Sequence, residues 1–273
     1  MTKKKNKFKE ILKKYKYRLH SGDIVAGTVI HNEKAGFLVD IGTERIGYLP
    51  NEEISTDLKK NKKNTPQIVN ATRDFFLITE NKSTKQCILS IRRLDYIRAW
   101  KRIKQIYSED IVFNVQINYI NKGGIITCLE GIQGFIPKSH IAIKKLNLNN
   151  EFQLRKQEDI KCKILTISEH KNQLILSNKS AKLTLLKHKL KIGELLYGQV
   201  VSIKSYGLFI NIYEIKALLH ISEVDRIDNE IYKNIVIKDK FIKVKVIHLN
   251  NKSGQVYVSV RNLKNNPNHH QQY

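Results

Sequence analysis

From Gly22 onward the chain alternates apolar and polar positions in short runs, the pattern of strands with one buried face. The same series of runs comes round three times. GDIVAGTVIHNEKAGFLVDIGTERIGYLP begins at Gly22, EDIVFNVQINYINKGGIITCLEGIQGFIP at Glu109 and GELLYGQVVSIKSYGLFINIYEIKALLHI at Gly193. In this alignment Gly36, Gly123 and Gly207 share one position, and Gly27, Asn114 and Gly198 share another. Each unit continues through a polar stretch to a strand pair that ends in LSIRR, LILSNKS or VYVSVRN. Val, Ile and aromatic residues fill the runs, and the internal glycines mark the bends a small closed barrel needs at its corners. Five short strands in about 70 residues predict a partly open barrel of the oligonucleotide-binding type; an immunoglobulin-like sandwich takes more strands per unit.

Between the units the apolar period becomes helical. Phe8, Ile11, Leu12, Tyr15 and Leu19 share one face over residues 8–19, as do Tyr96, Trp100, Ile103 and Tyr107 over 94–107. AKLTLLKHKL, residues 181–190, is a short basic amphipathic piece. The predicted plan is mainly β, with three tandem five-stranded barrels joined by short helical linkers. A basic helix occupies 1–20, the first barrel 21–93, a linker helix 94–107, the second barrel 108–180, a basic linker helix 181–191, the third barrel 192–263 and a disordered tail 264–273.

Charge narrows the partner. Among 273 residues, 49 Lys+Arg face 25 Asp+Glu, a formal net charge of +24, which points to a polyanion and to nucleic acid first. Lysine far outnumbers arginine, so phosphate contact is favoured over the bidentate base reading at which arginine excels. The run MTKKKNKFKEILKKYKYRLH and the cluster Arg92, Arg93, Arg98, Lys101, Arg102 and Lys104 read equally as solvated helix faces or as contacts to nucleic-acid phosphate. Cys87, Cys128 and Cys162 stand too far apart for a zinc knuckle or a disulfide framework, and are expected as buried thiols in a reducing compartment. No apolar run is long enough to cross a bilayer, and the start lacks a signal core. Walker-type loops, nucleophile elbows and metal-ligand spacings are missing, so an enzyme, a cofactor, a metal site and a small-molecule substrate are not expected.

The repeats resemble the RNA-binding domain of small-subunit ribosomal protein S1. KYKYRLHSGDIVAGTV, GFLVDIGTERIGYLP, TRDFFLITENK and LSIRRLDYIRAWKRI resemble the first domain and linker of its cyanobacterial and plastid forms, and NKGGIITCLEGIQGFIPKSHI resembles their second. The resemblance implies a ribosomal protein that holds messenger RNA at the small subunit during initiation. With this Lys/Asn/Ile usage it implies a plastid (chloroplast stroma) location, with a bacterial cytoplasm as the alternative. A free RNA chaperone or messenger-stability factor is the second reading, and a ribonuclease subunit the third.

The resemblance also implies an RNA face made of an aromatic before the central glycine, a second aromatic three positions on, and a histidine on the following strand. In the third unit these are Tyr206, Phe209 and His220, with Lys204, Lys216, Lys243 and Lys245 as neighbours for phosphate. At the family's acidic and arginine positions stand Asn250 and Gln255, beside Lys252. The corresponding residues are Ala35, Leu38 and Pro50 in the first unit and Lys122, Ile125 and Pro137 in the second. No stacking trio is present there, so these units are expected to attach to the ribosome while the third grips RNA. Phe37, Tyr48 and Phe135 are expected in the core.

Overall fold

The computed structural model describes residues 19–43, 45–54, 69–81, 86–142, 158–224, 237, 239–261 and 263. The expected basic helix at 1–20 and the expected tail at 264–273 fall almost wholly outside them. The chain divides into one unit of 1–101 and another of 102–273. The former carries the first barrel and the latter the second and third.

All three barrels are closed and five-stranded. The first comprises β1 (Ile24–Asn32), β2 (Gly36–Asp40), β3 (Ile46–Pro50), β4 (Thr72–Asn81) and β5 (Gln86–Ser90). Helix α1 (Arg92–Ser108) follows. The second comprises β6 (Phe113–Asn121), β7 (Gly124–Leu129), β8 (Ile132–Pro137), β9 (Asp159–Ser168) and β10 (Gln173–Ser177), followed by α2 (Asn178–Leu185). The third comprises β11 (Leu195–Lys204), β12 (Gly207–Ile212), β13 (Ile215–His220), β14 (Phe241–Asn250) and β15 (Gln255–Ser259). In each, the first three strands form an antiparallel meander, the third pairs in parallel with the fifth, and the fourth closes against the first. A bulge in the opening strand, at Val29/His31, Ile117/Tyr119 and Val200/Ser202, supplies the bend that lets so few strands close.

The alternation seen in the sequence is the inside–outside alternation of the barrels. Val39, Leu49, Phe75, Leu77 and Leu89 fill the first core, and Val200, Ile210, Ala217, Leu219, Val244 and Val258 the third. The central glycine is an opposite case, because it is set by contact. A Cβ on Gly36, Gly124 or Gly207 would lie 2.4, 2.1 or 2.2 Å from the carbonyl oxygen of Leu49, Ile136 or Leu219 on the adjacent strand. Gly124, not Gly123, is therefore the equivalent residue in the second barrel. The assignments on β6 and β7 move by one with it: Val115 takes the inward place of Gly27 and Gly198, Ile126 replaces Ile125 and Gly123 replaces Lys122, while Pro137 keeps its place. Ile125 is fully buried.

The barrels end alike. A 3-10 turn after the third strand reaches the buried serine that closes the fifth. Ser90 Oγ donates to Glu53 Oε2 (2.6 Å), Ser177 Oγ lies 3.0 Å from His140 Nδ1, and Ser259 Oγ donates to the Glu223 carbonyl (3.4 Å). The same hydroxyls accept from Arg93 N–H and Ser180 N–H, satisfying orphan donors at the starts of α1 and α2. Helix α2 consequently begins at Asn178 and ends at Leu185, ahead of the span the apolar period marked. Cys87 and Cys162 are buried, and burial pushes the Cys162 thiol up to about 12. Cys128 is exposed, against expectation, because its strand position has outward parity beside inward Thr127 and Leu129.

Burial, and then the charge of Lys179, hold the His140 imidazole below its usual value. As pH falls through about 6.5 the unfolded chain takes up a proton that folded His140 resists. The stability contributed by neutral His140 is thus complete above about 6.5 and is lost as pH falls towards its folded value. His140→Asn is expected to shrink the difference in hydrogen-exchange protection of the second barrel between pH 7.5 and pH 5.5. An unchanged difference would assign the acid sensitivity elsewhere.

Candidate nucleic-acid interface

Outward positions on four consecutive strands line up as one row across each barrel. In the third the register places Phe209 beside Leu218, Leu218 beside Tyr257, and Tyr257 beside His248. In the first, the corresponding row is Leu38, Tyr48, Ile88 and Thr79. In the second it is Ile126, Phe135, Ile175 and Thr166. The rows differ in where aromatic surface stands. In the first and second barrels the ring is on the third strand and folds over the central glycine: a Cβ on Gly36 would lie 2.9 Å from Tyr48 Cζ, and one on Gly124 2.9 Å from Phe135 Cζ. In the third barrel that place is aliphatic Leu218, and rings stand on the strands to either side.

Phe37 is in the core at 2 % exposure, as expected. Tyr48 and Phe135 are not: both are half-buried on the outer face, because they alternate with inward Gly47 and Leu49, and with Gly134 and Ile136.

Of the site residues named from the sequence, Tyr206, Phe209, His220 and Lys204 gather where β11 ends, β12 begins and β13 ends, while Lys216, near the start of β13 and in register with Asn211, reaches Phe209 with its side chain. Tyr206 is 47 % exposed, and its ring meets Phe209 edge-on, 6.1 Å between centroids and 88° between planes. Lys216 Nζ stands 4.4 Å from the Phe209 ring centre, a cation–π distance. His220 pairs in register with Gly207 and is exposed. Its Nδ1 accepts from Ser222 N–H (3.2 Å) and lies 2.8 Å from Ser222 Oγ, which leaves Nε2 as the outward nitrogen. Burial, and then the charge of Lys204, lower the Lys216 ammonium from its usual value.

Asn250 and Gln255 face each other at the base of the last hairpin, with Lys252 exposed in its turn. Asn250 Oδ1 accepts from Ser253 N–H (3.2 Å), and Gln255 Oε1 accepts from Ser253 Oγ (3.1 Å) and Tyr257 O–H (3.3 Å). Gln255 therefore orients Tyr257, whose ring lies 5.6 Å from that of His248, while Asn250 holds the hairpin turn. Tyr257, His248 and Leu218 are members of the row that the sequence reading did not include; outward parity on VYVSV was the available signal. Lys243 and Lys245 do not join it. They sit in register with Tyr197 and Leu195 on the β11–β14 seam.

The basic cluster on α1 is partly committed within the protein. Arg98 pairs with Asp74 (2.5 Å), Arg102 with Glu130 (2.7 Å) and Lys104 with Glu169 (2.5 Å), while Arg93 lies 5.8 Å from the Phe76 ring centre. Lys163, 3 % exposed in β9, is held by Asp110 and by Thr184 Oγ1 (3.1 Å), which fastens the turn after α1 and the last turn of α2 to one strand.

A family model described as "S1 RNA binding domain" matches residues 18–92, 108–179 and 189–261, so the molecule is a tandem array of three such domains. The chain is 44 % identical over 261 residues to small ribosomal subunit protein bS1c of Pyropia yezoensis, an alignment spanning 94 % of this chain and 95 % of that one. It is 44 % identical to bS1c of Porphyra purpurea, over 94 % and 95 % of the two chains. With bS1A of a Synechocystis strain it shares 37 % identity over 95 % of this chain and 77 % of the other. The chain belongs to the bS1 family of small ribosomal subunit proteins, plastid and cyanobacterial type.

Proposed function

We propose that the chain holds single-stranded messenger RNA on the small ribosomal subunit of a plastid, in the stroma, for translation initiation, with the third barrel as the gripping module. The observation that carries this reading is the edge-to-face pair of exposed Tyr206 and half-buried Phe209 on the outer face, with Lys216 against one ring and His220 alongside. Unpaired bases stack on such rings whatever their identity, while lysines hold the backbone. His248 and Tyr257 extend the same surface across two more strands. The first and second barrels offer aliphatic rows with one ring folded down, a surface suited to docking on ribosomal protein or RNA. The plastid assignment rests on the bS1c relatives in two red algae.

Sedimentation of extract at low salt tests the ribosomal part. The full chain is expected to travel with small subunits and to be released as salt rises, since phosphate contacts weaken with ionic strength. A chain that stays wholly in the supernatant would favour an RNA-binding factor acting off the ribosome.

A further inference from the structure

The lysines at the third barrel's platform continue onto the second barrel. Lys204 ends β11, Lys216 lies on β13, and Lys179 is in the first turn of α2, which belongs to the second barrel's close. Lys179 and Lys216 are both half-buried, and each is close enough to another lysine to disfavour its charge, Lys216 acting on Lys179 and Lys204 on Lys216. Among the described residues none of these lysines pairs with a carboxylate. Glu214, two residues before Lys216, is engaged by Lys182. Like charges gathered without a counter-charge, partly out of water, are unfavourable in the free protein and favourable around an anion.

The arrangement is fixed by contacts across the barrel junction. Ser180 Oγ donates to the Asn251 carbonyl in the last hairpin (2.6 Å). Gly254, with φ of +68°, lies so close to α2 that a Cβ there would be 2.6 Å from both the Lys179 carbonyl carbon and Ser180 N. The Lys179 ammonium donates to the Ser139 carbonyl of the second barrel's 3-10 turn, which leaves further N–H groups for a ligand. Lys216 at its other side already touches Phe209.

We propose that Lys179, Lys216 and Lys204 form a composite phosphate site bridging the second and third barrels, over which the backbone of RNA stacked on Phe209 passes onto the second barrel. The site rests on the reading of the Phe209 face as an RNA platform. It makes the second barrel a part of the grip as well as of the attachment, and lengthens the strand one chain can cover.

The test uses the full chain, a fluorescent unstructured oligouridylate long enough to leave the third barrel, and a series of salt concentrations. Lys179→Gln and Lys216→Gln are each expected to flatten the slope of log K against log salt by about 0.7, one phosphate contact on a single strand. Lys179→Arg should restore it. Phe209→Ala should lower affinity at every salt with the slope kept. A Lys179→Gln slope equal to wild type, with the Lys216→Gln slope reduced, overturns the composite site and leaves the platform standing. An unaltered affinity in Phe209→Ala removes the platform instead. In wild type, photocrosslinking with 4-thiouridine RNA is expected to label peptides containing Ser139, His140 or Lys179 besides those of β12 and β13. Labelling confined to the third barrel overturns the site without any variant having to fold.

Discussion

Phe209→Ala should weaken binding of unstructured RNA to the full chain by about 1–3 kcal/mol, roughly 5- to 150-fold, with the barrel still folded. The ring is half-buried, and its burial is on an outer face: it alternates with core residues Leu208 and Ile210, neither of which would be uncovered by the change. What is lost is the stacking surface, the edge support of Tyr206 and the cation–π partner of Lys216. Phe209→Trp should keep most of the affinity, because a larger flat ring meets the same need. The corresponding changes Leu38→Ala and Ile126→Ala should leave RNA affinity within about twofold, since those rows hold no open ring. Fluorescence anisotropy at one moderate salt concentration reads all of these. If Phe209→Ala bound as wild type while folded, the third barrel would not be a stacking platform.

Gly124→Ala should be the most damaging small substitution in the second barrel, costing about 3 kcal/mol or more, the top of the usual range for overpacking. Its Cβ would lie 2.1 Å from the Ile136 carbonyl oxygen and 3.0 Å from the carbonyl carbon. Backbone in a paired strand cannot step aside without breaking the β7–β8 ladder. Gly123→Ala is the control. Its Cβ would meet nothing nearer than Asn121 Oδ1 at 3.5 Å, so it should fall within about 0.5 kcal/mol of wild type. Hydrogen exchange followed by mass spectrometry, read on peptides of β6 to β8, separates the two. Equal protection in both variants would return the repeat to an alignment on Gly123.

That pair of glycines also marks where the sequence could be read and where it could not. Alternation with a period of two, the returning glycine and the serine-ended strand pairs carry the three barrels plainly, because each expresses a local steric or burial demand. With two glycines adjacent, the sequence offers no means of telling which one abuts a carbonyl; the contact to Ile136, on another strand, decides it. Tyr48, Phe135 and Cys128 were open to correction from parity alone, since each stands between inward neighbours. Being aromatic or a thiol suggested burial more strongly than parity suggested the outer face. The union of Phe209, Leu218, Tyr257 and His248 lay beyond local reading. It depends on the parallel pairing of β13 with β15 and on the bulge between Val246 and His248, both long-range features. Lys179 was hidden for the same reason, being placed by a hairpin more than seventy residues on in the chain.

The serine that closes each of the first two barrels has a consequence for synthesis. Ser90 and Ser177 complete a barrel and in the same stroke cap the helix that leads away from it. A chain emerging from the ribosome, amino terminus first, thus gains the start of each connecting helix only as the fifth strand of the barrel before it docks. One hydroxyl thereby ties the completion of each of these barrels to the start of the helix that follows it.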